Sequence, residues 1–329
     1  MGQTVPDGDC LLVLNQDISM SMIEESVIEV SSNASLNTII EYLSKIKKRL
    51  PVCPDHSDLS IGGVISVGGY GCTSISRGSL ADHVLELRMI LPSGKIVDAS
   101  RDQNSELFIS SLCGLGSTGV IWRIKLKVED CPDFLYRYVK NRISPKLYQK
   151  ILLEMSSMNS SGLVEGMRYS VTPLRASELE IVSDSDCNKL LRFIGSFDTE
   201  EIIEDYISHR VKFSDEWSFL KPYRYRIWSD NFITVDNLEI YINHALKSMC
   251  SWGLSEEEVV LHSLPCLSHI KDSHFPHNIS DGLSVGVGIY ANVLQDRDTA
   301  LNIAEKQKNL SEISTSLGGS PYRYGWHVK

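Results

Sequence analysis

Glycine is concentrated in two short tracts of this chain, at a density that turns alone do not require. Gly62, Gly63, Gly68, Gly69 and Gly71 lie in Ile61-Gly-Gly-Val-Ile-Ser-Val-Gly-Gly-Tyr-Gly71, and Gly114, Gly116 and Gly119 lie in Gly114-Leu-Gly-Ser-Thr-Gly119. Glycine tolerates positive φ and close backbone approach, so main-chain N–H groups in such tracts can face a ligand. Ser66 within the first tract, and Val120 and Ile121 directly after the second, share that candidate surface. Ahead of the first tract, Pro54-Asp-His-Ser-Asp58 brings carboxylates, Asp55 among them, that could do acid–base work. A carboxylate at the floor of an apolar cleft has a raised pKa and suits proton transfer. The same five residues are also good turn chemistry, so a loop-capping role stands beside the catalytic one.

Three further clusters invite chemistry. Glu165, Arg168, Trp217, Tyr223, Trp228 and Asn231 offer polar and aromatic groups that could line a substrate pocket, although aromatic clusters more often build cores. His262, Cys266, His269, His274 and His277 place five potential metal ligands within sixteen residues. Pro265 and Pro276 break any helix there and no second cysteine pair exists, so a histidine loop without metal is the reading. Gly282-Leu-Ser-Val-Gly-Val-Gly-Ile-Tyr290 lies in a predicted strand with no helix opening after it. A dinucleotide loop needs that helix, so this reading is rejected.

The elements that must position these residues follow from periodicity. Strands are predicted at Cys10–Leu14, Val27–Val30, Val84–Leu91 and Lys95–Val97, with Pro92-Ser-Gly94 as the hairpin turn. Leu36, Ile39, Ile40, Leu43 and Ile46 share one face of a helix capped by Asn33 or Ser35. Asn104 should cap a short helix through Leu107, Phe108 and Leu112. Val120 to Val128 alternates apolar with cationic residues, as a half-buried strand does. Cys131-Pro132 marks a boundary. After it come a helix through Leu147, Ile151, Leu152 and Met155, strands near Leu163–Val171 and Leu179–Val182, and a helix near Thr199–Val211. Then follow a helix from Asp236 to about Trp252, strands at Val259–Ser263 and Leu283–Val293, and a helix from Thr299 to Leu317 closed by Gly318-Gly319.

Composition narrows the function classes. A chain of 329 residues with 42% apolar content can bury a sizeable core in two lobes. A net charge of −10 and a pI near 5.4 argue against nucleic acid, whose phosphates need a basic face. The eight cysteines, at 10, 53, 72, 113, 131, 187, 250 and 266, show no short repeated spacing and read as reduced thiols. No stretch approaches the roughly 20 apolar residues of a membrane span, and the N-terminus has no apolar signal region. The expectation is a cytoplasmic protein with a small-molecule substrate and neither membrane nor nucleic-acid partner.

Taken in order, Leu59-Ser-Ile-Gly-Gly, Ser66-Val-Gly-Gly, Val84-Leu-Glu-Leu, Asn104-Ser-Glu-Leu-Phe and Gly114-Leu-Gly-Ser-Thr-Gly-Val-Ile resemble the vanillyl-alcohol-oxidase superfamily, also called PCMH-type, in its cytokinin-dehydrogenase-like branch. The resemblance implies an α+β fold: a PCMH-type flavin-binding lobe over residues 1–131 and an α+β substrate lobe over 132–329. It implies FAD, held by Gly62, Gly63, Ser66, Gly68, Gly69, Gly71, Gly114, Gly116, Gly119, Val120 and Ile121. Asp55 stands seven residues before Gly62, where that family's carboxylate takes the substrate proton before hydride passes from a small amine or alcohol. Trp228-Ser-Asp-Asn-Phe232 resembles the aromatic segment over the substrate, and Glu165 resembles a recurring Glu-Gly pair, so Glu165, Trp228 and Asn231 become substrate candidates. Gly2-Gln-Thr-Val-Pro-Asp-Gly8 resembles the segment after the family's pyrophosphate motif, and the chain ends before its last helix. From this the reading expects a truncated lobe covered by a homodimer or a partner chain. Two alternatives stay open: a cyclase or isomerase of a natural-product pathway that uses no flavin, and a non-catalytic partner of an intact paralogue.

Overall fold

Alternation along Val120–Lys127 buries Ile121, Ile124 and Leu126, and this strand becomes the centre of an antiparallel five-stranded sheet. A computed structural model describes residues 17–157, 164–174, 176–184, 191, 194–203, 225–267, 283–293 and 296–322. In it, β1 (Met20–Glu24), β2 (Val27–Ser31), β4 (Val84–Ile90), β5 (Ile96–Ser100) and β6 (Val120–Lys127) assemble in the order β1-β2-β6-β4-β5. α1 (Leu36–Ser44) starts at Ser35, whose side chain accepts from the Thr38 N–H at 3.1 Å. It buries Leu36, Ile39 and Leu43, while Ile46 falls beyond its end and is exposed.

The first glycine tract departs from the loop expected of it. Gly62 and Gly63 form the opening turn of α2 (Ile61–Val67), capped by the Ser60 hydroxyl. Only a residue without a Cβ lets this helix lie on β2, because a Cβ at 62 would stand 2.8 Å from the Ser32 side chain. The loop proper begins at Gly68, and α3 (Ser74–Arg77) follows it. Asn104 takes the N-cap position of α4 (Ser105–Ser111) as expected, with left-handed φ, and its carbonyl accepts from Phe108 N–H at 2.9 Å; its side-chain N–H donates to the Asp98 carbonyl at 2.7 Å and makes no cap bond.

Past a two-stranded ladder of β3 (Lys48–Arg49) and β7 (Glu129–Asp130), the rest of the chain builds an eight-stranded antiparallel sheet. Its order is β11-β8-β10-β9-β13-β14-β12-β15. The strands are β8 (Leu135–Asn141), β9 (Gly166–Val171), β10 (Ser177–Ser183), β11 (Thr199–Ile203), β12 (Tyr225–Thr234), β13 (Val259–Leu267), β14 (Leu283–Val293) and β15 (Ser320–Pro321). Thr199–Ile203 was expected to begin a helix. It pairs instead along Leu135–Val139, where its Thr and Ile residues suit a pleated edge. The strand expected at Cys10–Leu14 lies outside the described residues.

One face of this large sheet is apolar and the other polar. Ile227, Ile233, Leu261, Val285, Val287, Ile289 and Ala291 join one core with α5 (Pro145–Ser157), α6 (Leu238–Met249) and α7 (Arg297–Ser316). The opposite face meets the glycine tract through Phe232 and Cys266, which belong to the core of the small sheet. Among the described residues, no helix is long and apolar enough to cross a membrane.

Candidate functional site

The two glycine tracts, about 45 residues apart in sequence, are one piece of structure. Cys113 N–H donates to the Ile65 carbonyl at 3.1 Å and Leu115 N–H to the Ser66 carbonyl at 2.9 Å. The side chain of Ser66 is itself bonded back to the Gly62 carbonyl at 2.8 Å. Left-handed φ recurs through the second tract, at Cys113 (61°), Leu115 (54°) and Gly116 (76°). Non-glycine residues held there mark backbone that the surroundings force into place.

The glycines sort into two classes by what a Cβ would meet. At Gly71 it would stand 2.0 Å from the Cys53 carbonyl oxygen, at Gly114 2.0 Å from that of Ser110, and at Gly119 2.6 Å from that of Ile90. Gly69 is pressed against Val64 in the same way, and Gly68, Gly69 and Ile121 are buried. These positions close the chain on itself. Gly116 meets nothing within 4 Å, and Gly63 meets only the Ser60 hydroxyl at 3.1 Å. Gly63 shares a face of α2 with Ser66 and Val67, and Leu115, Gly116, Ser117 and Thr118 adjoin it; Gly63, Leu115, Gly116 and Ser117 are exposed, and Ser66, Val67 and Thr118 half-buried. This strip of open backbone and small side chains can receive a planar group edge-on or face-on, and it fits the isoalloxazine expected from the sequence. Half-buried Val120 follows it directly. Asp55 is half-buried in a bend, its Oδ1 enclosed; the preceding Cys53-Pro54 pair packs beneath Gly71 and Gly69.

Tyr70 carries the tract onto the large sheet. Its ring meets Phe232 and Tyr322 edge-on at centroid distances of 4.9 and 5.1 Å, and Gly286 leaves room for it, since a Cβ there would fall 2.6 Å from the ring. The Tyr322 hydroxyl accepts from Gly69 N–H at 3.1 Å. Burial pushes both phenols well above their usual pKa, and Asp230 adds to the rise.

Beyond Phe232 the polar face of the sheet holds a proton-handling cluster that sequence reasoning missed. Register places Asp230 opposite Gly288, Gly288 opposite His262, and His262 opposite Ser170, in one row across four strands. A Cβ at 288 would lie 2.1 Å from Asp230 Oδ1 and 3.2 Å from the Tyr290 hydroxyl, so both reach over the same bare backbone. His262 Nδ1 lies 3.2 Å from the Ser170 hydroxyl, and its ring stands 5.5 Å from that of Tyr290. Trp228, paired with Tyr290, continues the face and is half-buried. Period-2 alternation through Arg226, Trp228 and Asp230 was the signal available in sequence.

The other substrate candidates fall elsewhere. Asn231 points to the opposite face, donating to the Tyr241 hydroxyl on α6 at 3.0 Å, so it does not meet a ligand on the polar face. Glu165 is buried between two guanidiniums: Arg49 Nη2 pairs with one carboxylate oxygen and Arg77 Nη2 with the other, the latter at 3.0 Å. Its carboxylate is committed to joining β3 and α3 to the start of β9. Arg168 is buried on the polar face. Cys266 lies beneath Tyr70, and among the described residues no group of His, Cys, Asp and Glu could hold a metal. Trp217, Tyr223, His269, His274 and His277 lie outside the described residues.

Comparison with known proteins follows the same lines. Residues 2–100 match the FAD_binding_4 family model, an FAD binding domain. Cytokinin dehydrogenase 3 of Arabidopsis thaliana is 38% identical over 78 residues, 24% of this chain and 15% of that protein. An uncharacterised oxidoreductase of the fasciation locus in Rhodococcoides fascians is 20% identical over 267 residues, and the match spans 75% of this chain and 60% of that protein. The solved xylooligosaccharide oxidase of Myceliophthora thermophila C1, in complex with xylobiose, shares the fold with a TM-score of 0.70 at 14% identity, covering 90% of this chain and 68% of its own.

Proposed function

We propose that this chain, one of the vanillyl-alcohol-oxidase-type FAD-linked oxidoreductases, with an FAD binding domain matched over residues 2–100, removes a hydride and a proton from a small alcohol. The observation that carries the proposal is the acid–base cluster at Gly288, joined through Phe232 and Tyr70 to the glycine tract whose open backbone strip runs from Gly63 and Ser66 to Gly116. The strip would hold the flavin ring by main-chain contact. When bound, FAD supplies the hydride acceptor. All else is done by side chains of the protein.

Asp230 receives the hydroxyl proton as the carbonyl forms, with Tyr290 and His262 beside it to share or pass on the charge. Two groups able to hand on a proton, set over one glycine with His262 on the neighbouring strand, suit an alcohol better than an amine, which is charged at neutral pH and must lose a proton first. Asp55 is the second reading for the base, favoured by its enclosed oxygen beneath the glycine tract.

The test is the visible spectrum of purified protein after excess FAD and desalting. Retained bands near about 370 and 450 nm support the flavin reading. Asp230→Asn is then expected to slow substrate reduction of those bands by about a hundredfold, and Asp55→Asn by much less. The reverse ranking moves the base to Asp55. A colourless protein that releases all added FAD sinks the redox reading and turns attention to cyclisation or isomerisation.

A further inference from the structure

The row that holds Asp230 and His262 runs on past Ser170. Glu178 of β10 stands directly opposite Ser170 in the register, so Asp230, Gly288, His262, Ser170 and Glu178 follow one another across five adjacent strands. Residues directly opposite in a sheet share a face, and neighbouring strands stand about 4.8 Å apart, which makes the row about 19 Å long. Asp230 at one end is buried, and His262, Ser170 and Glu178 are each half-buried. Gly288 adds no side chain, and the Asp230 and Tyr290 oxygens reach over it from one side of His262, while the Ser170 hydroxyl lies 3.2 Å from Nδ1 on the other. Among the described residues, the Ser170 side chain has His262 as its hydrogen-bond partner, and the Glu178 carboxylate makes no hydrogen bond or ion pair.

A buried carboxylate that takes a proton must lose it before the next turnover, and a proton held away from water needs donor and acceptor groups in series to leave. Toward the small sheet stand the packed rings of Tyr70, Phe232 and Tyr322, whose buried phenols resist ionisation. We propose that the row across the strands is the exit path for the substrate's hydroxyl proton, with Ser170 as its relay and Glu178 as the group that hands the proton to water. With the hydride taken up as proposed above, one proton per turnover enters the row at Asp230 or Tyr290. His262 gains a proton as its Nδ1 side gives one up to the Ser170 oxygen. The Ser170 hydrogen passes to the Glu178 carboxylate and from there to water, and every group ends the turnover at its starting charge. Directly opposite Cβ atoms lie only about 5 Å apart, so the step from Ser170 to Glu178 closes by a change of glutamate rotamer or through one water. The inference rests on reading Asp230 as the proton acceptor of the proposed reaction.

The test follows the imidazole N–H of His262 by NMR in the purified chain with nitrogen-15-labelled histidine, the signal being assigned by its loss in His262→Gln. Exchange of that proton with water is expected to slow about tenfold or more in both Ser170→Ala and Glu178→Gln. Glu178→Asp, which keeps the carboxylate on a shorter arm, should restore part of the rate. Backbone amide exchange in β9 and β13 is the control, because a variant that merely loosens the sheet speeds both kinds of exchange and does not slow the imidazole alone. Unchanged imidazole exchange in Glu178→Gln overturns the proposal, whatever Ser170→Ala does, and means that the proton reaches water without Glu178. Glu178 is half-buried at the far end of the row, so its variant carries the test even if Ser170→Ala fails to fold. None of these signals needs flavin or substrate. A colourless protein with slowed exchange removes the redox reading and leaves the path in place, whereas a flavoprotein with unchanged exchange keeps that reading and loses the path.

Discussion

Three glycines with different surroundings make opposite predictions for the same substitution. Gly71→Ala forces a methyl group against a backbone oxygen that cannot move away without taking the Asp55 segment with it. A loss of about 3 kcal/mol or more, or failure to fold, is expected, and wild-type stability in urea would disprove the close packing. Gly116→Ala meets open space and costs only the strain of positive φ, about 1 kcal/mol. Its melting temperature should barely change while retention of FAD after desalting falls. If Gly116→Ala keeps flavin as well as the native chain does, the open strip is not the cofactor surface. Gly288→Ala pushes on Asp230 and the Tyr290 ring together. It should lower kcat about a hundredfold with flavin still bound, because the change displaces the proton acceptor and leaves the strip alone.

At the scale of elements, the partly buried ion-pair tetrad of Arg49, Arg77, Glu129 and Glu165 ties together the ends of the segments that carry the site. β3 leads into Asp55, α3 closes the first glycine tract, β7 follows the strand that leaves the second, and Glu165 opens the large sheet's β9. Glu165→Gln removes one of the two carboxylates that pair with Arg49 and leaves Glu129 in place, so a loss of about 1.5–3 kcal/mol is expected, short of the cost of an unpaired buried charge. Equilibrium unfolding in urea measures this, and a change below about 1 kcal/mol would mean that the network behaves as exposed pairs do. Sequence alone placed Glu165 in the pocket because its neighbours in the chain, not its partners in space, were visible. The same limit explains the other misreadings. Alternation in Val120–Lys127 and the run Leu283–Val293 was legible because burial sets a period of two. Thr199–Ile203 was not, since its only described partner is Leu135–Asn141, some sixty residues earlier, and no local pattern encodes that pairing. Gly286 and Gly288 looked like a failed nucleotide loop, yet one makes room for Tyr70, a contact that exists only once the two sheets meet, and the other for Asp230 on the neighbouring strand β12.

At the scale of the molecule, the five- and eight-stranded sheets of the described residues meet through a seam of aromatic and sulfur groups, and the seam sets the response to pH. Tyr70 and Tyr322 in the seam, Tyr148 and Tyr241 beneath the large sheet, and the thiols of Cys113 and Cys266 all have pKa values raised chiefly by burial. Each folded pKa lies above its unfolded value, about 8.5 for cysteine and about 10 for tyrosine. The folded chain therefore holds protons that the unfolded chain releases in base. Stability from these groups is fully present below the unfolded values and is lost as pH rises past them. Every such group steepens the loss by about 1.4 kcal/mol per pH unit, first from the thiols above about pH 8.5 and then more sharply from the phenols. The urea midpoint should be level between about pH 7 and 8 and fall with increasing slope above about pH 9. Tyr70→Phe and Tyr322→Phe should each reduce the slope above about pH 10 by one group, whatever they do to stability at neutral pH. A midpoint that stays level to about pH 10.5 would show that these phenols and thiols ionise as freely in the folded chain as in the unfolded one, and the seam would not be the dry contact that joins the glycine tract to the sheet.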